Sequence, residues 1–197
     1  LPSQRECLAT GWRQRLASVV VDGKRREARS ATTTPDGLVL TFRDCDTSLL
    51  LQVGPAPDWL RFTLRAVRGT RPTRVDLVRI PFGINGTVGR KLNIVYDDQT
   101  AVCVLAASQQ VDCRVLGRKN RYLGAATQDT PGPKLEGASA ALIVCPPGEF
   151  PAIARRAAHA FGMLTNETPG GVPVKETDAV RGSYYFIGFG EKDVDRM

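Results

Sequence analysis

The sequence predicts a mainly β chain. It reads as an antiparallel β-sandwich over residues 1–130, a strand–helix connector with a linker over 131–180, and the first strand and helix start of a second, α/β domain over 181–197. Three observations predict it. Short apolar, β-branched runs recur at intervals of about ten residues, the spacing of antiparallel sandwiches. Turn chemistry separates the runs, at Asp22-Gly23, Pro35-Asp36-Gly37 and Gly54-Pro55-Ala56-Pro57. No helical period falls between these runs, which disfavours parallel βαβ units.

Leu16–Val21 opens the series and ends at Asp22-Gly23, a hairpin signal. Residues 38–42 and Ser48–Val53 follow as strands. Trp59–Val67 alternates with a period of two, which predicts Leu60, Phe62, Leu64 and Ala66 on one face and Arg61, Thr63, Arg65 and Val67 on the other. Arg74–Ile80 repeats the pattern, setting Val75, Leu77 and Arg79 against Asp76, Val78 and Ile80. Lys91–Tyr96 and Thr100–Ala107 are two further strands, parted by Asp97-Asp98.

After the loop at Thr130-Pro131-Gly132-Pro133, Ala138–Val144 reads as a buried strand closed by Cys145-Pro146-Pro147-Gly148. Glu149-Phe150-Pro151 opens a helix that runs to about Phe161, with Pro in the first turn and Gly162 near its end. Ile153, Ala157 and Phe161 form its apolar stripe. Residues 165–175 read as a linker, and Ser183–Phe189 as an aromatic, β-branched strand. The acids that follow it and the late Arg196 match a helix dipole. An opening residue other than Met, and a stop at Met197 about two turns into that helix, predict a piece of a longer chain.

The 197 residues carry a net charge of +7. The basic residues are dispersed and alternate with apolar ones, from Arg13 to Arg121, as on the solvent faces of strands. Electrostatic capture of nucleic acid needs charge focused into a patch, so Lys24-Arg25-Arg26 is read as a solvated face and no nucleic-acid partner is expected. No apolar run reaches the ~18–20 residues of a membrane helix. The five cysteines include no C-x-x-C pair, which excludes a zinc ribbon or thioredoxin site. Cys103 and Cys113 are spaced for pairing across a hairpin, with separate reduced thiols as the default state.

Candidate chemistry is sparse, and no catalytic residue, metal or cofactor is expected. Gly83–Gly89 is glycine-rich but lacks G-x-G-x-x-G and a following Lys-Ser/Thr, so it reads as a loop between strands. Asp97-Asp98 reads as a turn, with calcium the minor alternative. His159, the one histidine, has alanine neighbours and reads as structural rather than as part of a triad. Trp12, Trp59, Tyr122, Tyr184 and Tyr185 supply the aromatics of a sugar-stacking platform, with Trp59 the substrate-binding candidate; its place at a strand start equally suits the core. Asn85-Gly86-Thr87 and Asn166-Glu167-Thr168 match the N-glycosylation triplet.

Residues 183–197, Ser-Tyr-Tyr-Phe-Ile-Gly-Phe-Gly-Glu-Lys-Asp-Val-Asp-Arg-Met, resemble the first strand and helix of the (β/α)8 barrel of bacterial glycoside-hydrolase-like proteins. In such proteins a β-sandwich precedes the barrel, and residues 96–104 and 136–144 also resemble that sandwich-plus-barrel arrangement. The resemblance implies a galactose-mutarotase-like supersandwich, and a non-catalytic N-terminal region that packs on a barrel as its partner and shapes a sugar-cleaving cleft. It also implies polysaccharide or glycan as the wider ligand class and fits export to the periplasm or beyond. Glu191, in the first βα loop, is the acid that the resemblance brings toward substrate, and a plain helix-start acid is its other reading. A stand-alone carbohydrate- or surface-binding module is the alternative function, and a basic nucleic-acid binder the third.

Overall fold

A computed structural model describes residues 7–9, 16–89, 93–116, 122–128 and 132–163. The chain divides into two units, Leu1–Met163 and Leu164–Met197. The second lies outside the described residues, together with the strand and helix start expected over 181–197 and the candidate Glu191.

Among the described residues twelve strands and one helix follow in order: β1 Ser18–Val21, β2 Lys24–Thr34, β3 Gly37–Phe42, β4 Ser48–Pro55, β5 Trp59–Arg68, β6 Arg74–Pro81, β7 Thr87–Gly89, β8 Ile94–Tyr96, β9 Ala101–Ala106, β10 Val111–Leu116, β11 Tyr122–Thr127, β12 Ser139–Cys145 and α1 Phe150–Ala160. All strand pairings are antiparallel, in the single order β10-β11-β6-β1-β2-β3-β4-β5-β12-β9-β8-β7. This corrects the expected fold. The separate sheets of a sandwich or supersandwich are replaced by one continuous sheet, curled almost into a barrel, and no (β/α)8 start is present among the described residues.

The physical reason lies in β2. Lys24 to Glu27 pair with β1 and the residues from Ala28 on with β3, and a bulge between Ala28 and Ser30 falls just after the change of partner. A bulge bends and twists a strand, so one strand carries the sheet around a corner without breaking the ladder. β9 then lies across the interior from β10 and β11, and β12 from β6. Asp22 and Gly23 both have positive φ, 51° and 68°, which closes β1 onto β2 as the tight hairpin turn that Asp-Gly signals.

The interior holds one large apolar cluster, including Val19, Leu40, Leu49, Leu51, Leu64, Val75, Leu77, Val78 and Leu123. Two bulges decide which residues reach it. Opposite Leu50 and Leu51 the register passes from Ala66 to Leu64, so Val67 joins Phe62 and Leu64 against the core, while Leu60 is 40% exposed. Strict alternation placed Val67 outside, and the bulge at Arg65 turns it inward, whereas Leu60 lies before the bulge and is exposed at the start of the strand. In β6, Ala125 faces Val78 and Ala126 faces Asp76, so Leu77 is the extra residue and both Val78 and Ile80 turn inward.

Helix α1 covers the other face of the sheet. Phe150, Ile153 and Ala157 pack on Ile94, Ala101, Cys103, Ile143 and Cys145, with Trp59 and Phe161 at the margin. The predicted stripe is therefore the docking face. The helix ends as its glycine predicts: Gly162, at φ 64°, donates to the His159 carbonyl at 3.0 Å, and Met163 donates to that of Ala158 at 2.9 Å. Arg156 ties the helix to Asp58 at 2.8 Å.

Candidate functional site

The outer face of β10-β11-β6-β1-β2 carries an open basin of about 440 Å³, within the ~300–1,000 Å³ span of small-molecule sites. Pairing register builds it row by row. In the middle row Asp112 lies opposite Ala126, Ala126 opposite Asp76, Asp76 opposite Ser18, and Ser18 opposite Glu27. One flanking row sets Arg114 opposite Gly124 and Gly124 opposite Arg79. The other sets Arg74 opposite Val20 and Val20 opposite Arg25. An acidic row thus runs between two arginine rows. Small residues at the β11 crossings, Gly124 and Ala126, make the floor.

Side chains in this face are locked to one another. Asp76, 9% exposed, accepts from the Ser18 hydroxyl at 2.6 Å, is bonded by Arg25, and pairs with Arg74 at 3.4 Å. Arg79, 5% exposed, donates to Glu27 at 3.1 Å and lies 4.7 Å over the Tyr122 ring, a cation–π contact. A side chain at Gly124 would come within 3.2 Å of that ring. At the rim Arg114 and Asp112 sit 3.5 Å apart, both about half exposed.

No family model matches the chain, and no curated protein or solved structure matches it. The site therefore has to be argued from its own groups.

Of the candidates named from sequence, Tyr122 alone among the described residues lies in the basin. Trp59 packs edge-on against Phe161 at 5.5 Å in the helix cluster, with Arg61 5.1 Å over the same Phe161 ring. Tyr122 lies in the basin, so Trp59 and Tyr122 share no platform, and Trp12, Tyr184, Tyr185 and Glu191 are outside the described residues. Asp97 forms a turn, its Oδ1 accepting from the Gln99 and Thr100 amides at 3.0 and 2.9 Å. Thr87–Gly89 of the glycine-rich loop is strand β7. His159 is exposed in the last turn of α1. The cysteines form no disulfide, and Cys103 and Cys113 stand as separate thiols. Burial pushes both up to about 12, aided at Cys103 by the neighbouring Cys113 and Cys145 and at Cys113 by Asp112. A thiol held protonated is a poor nucleophile. Among the described residues no cluster of three or more His, Cys, Asp or Glu could hold a metal, and no helix is long and apolar enough to cross a membrane.

Arg25, Arg74, Arg79, Asp76, Asp112 and Arg114 were not singled out as a site. Asp112 and Arg114 belong to β10, whose Val111, Cys113 and Val115 alternate with them. That period of two was the available signal for the strand.

Proposed function

We propose that the chain is a non-catalytic saccharide-binding module whose ligand lies in the arginine–aspartate basin. The observation that carries the reading is the ordering of its rows: carboxylates flanked on both sides by guanidiniums, over a floor kept low by Gly124 and Ala126. A polyhydroxylated ring offers donors and acceptors on adjacent carbons. Carboxylates accept from its hydroxyls, and forked guanidiniums donate to them. The basin favours a binding role over cleft shaping, because it is a charged concavity rather than an apolar docking face. Asp76 serves orientation rather than acid–base chemistry, since Ser18, Arg25 and Arg74 already occupy its oxygens.

Native gels cast with soluble polysaccharides test the reading. The full chain is retarded by at least one of them, and the Asp112→Ala/Arg114→Ala double variant runs freely with its thermal midpoint unchanged. Equal retardation of the variant, or free migration of the parent in every gel, would refute it.

A further inference from the structure

We infer that the basin selects acidic saccharides, whose rings carry carboxylates beside hydroxyls; this rests on the saccharide-binding reading above. Among the described residues four guanidiniums line the basin against two carboxylates, Asp76 and Asp112. Glu27 pairs with Arg79 from the flank at 3.1 Å and still leaves one positive charge over. The surplus has a location. Asp76 is shared between Arg25 and Arg74, so one carboxylate faces two cations. Arg114 meets Asp112 through one Nη at 3.5 Å with its side chain 57% exposed, and a guanidinium carries five N–H donors, more than that one contact uses. A planar carboxylate is the bidentate partner of such a fork.

The acidic row decides between anions. Asp112, about half exposed at the rim, can accept from a ligand, and ring hydroxyls supply the donors. Phosphodiester backbones bring acceptors at high density and few donors, so they meet repulsion from the same row. Single strands also bind by stacking bases on aromatic faces. The one aromatic ring lining this basin among the described residues, Tyr122, is already faced by Arg79. A uronate polymer satisfies both kinds of row; a nucleic acid satisfies only the cationic ones.

Calorimetric titration of the full chain with polygalacturonate, alginate and hyaluronan tests this, with methyl-esterified polygalacturonate as the neutral match and a dT20 oligonucleotide as the phosphate match. At least one uronate polymer binds. For polygalacturonate, esterification weakens binding at least tenfold, and Arg114→Gln weakens binding of the retained polymer by about tenfold, the scale of one charged contact. Arg71→Gln, outside the basin, leaves affinity unchanged. Equal binding of polygalacturonate and its ester would overturn the acidic selectivity while leaving the saccharide reading intact. Binding of dT20 as tight as that of any uronate would overturn the selectivity as well. Binding of neither the uronate polymers nor the ester would sink both claims.

Discussion

The bulge in β6 sets the basin, and Thr127 is the residue that makes the bulge tolerable. Where β11 slips past Leu77, the Val75 amide is taken by the Thr127 hydroxyl at 2.9 Å. Thr127 is 3% exposed, so that amide has no route to water. Thr127→Val keeps the shape of the side chain and removes the acceptor. A buried amide left unsatisfied costs about 1–3 kcal/mol. For a domain of this size each kcal/mol lowers the midpoint by roughly 2–4 °C. A loss of about 2 kcal/mol therefore appears as a fall of about 4–8 °C. Thr127→Ser is the control, since it retains the hydroxyl and gives up one methyl, about 0.8 kcal/mol. Urea titration of both variants, with hydrogen exchange at Val75, reads the difference. If Thr127→Ser costs as much as Thr127→Val, or if Val75 exchange is the same in both, the hydroxyl does not support the bulge.

Two further outcomes follow from other parts of the fold. Because burial holds the Cys103 thiol near 12 against an ordinary 9.0, the unfolded chain loses its proton first as pH rises. The stabilising share of Cys103 is intact below pH 9 and declines from there toward pH 12, by on the order of 4 kcal/mol at the top of that window. Cys103→Ala flattens the alkaline limb of a stability–pH curve, and native iodoacetamide labelling at pH 8 reaches Cys103 and Cys113 far more slowly than Cys45. An unchanged limb, or fast labelling of Cys103, would contradict the buried placement. Ile153 anchors α1 on the outer face of the sheet, and Ile153→Ala costs about 2–4 kcal/mol there. Trypsin then cuts faster after Arg155 and Arg156, and a protected helix in that variant would show that Ile153 does not hold it.

Much of the strand inventory was legible because most inward faces are apolar and alternate. β3, β4, β5, β6 and β12 lie where their runs predict, and α1 starts and stops near its proline and glycine signals. Four strands were not read. β2 is Lys-Arg-Arg-Glu-Ala-Arg-Ser followed by Ala and threonines, and has one buried position, so it carries almost no apolar signal. The β1 and β3 ladders hold it extended instead. β7 has three residues, two of them flanking Val88, and owes its place to pairing with β8. β10 carries two charged residues among its six, and β11 sets Gly-Ala-Ala in consecutive buried positions rather than alternating.

The amino-acid order alone determined a β-rich chain, the hairpin turn at Asp22-Gly23, the apolar stripe of α1 and its glycine stop, because these are local matters of dihedral preference and periodicity. Only the tertiary structure decided that the strands form one curled sheet and that Asp76 and Arg79 both contribute to the basin. An uninterrupted strand places residues three apart on opposite faces. The extra residue Leu77 reverses that relation, and whether a strand bulges depends on a neighbour some fifty residues further along the chain, whose pairing no local pattern reveals.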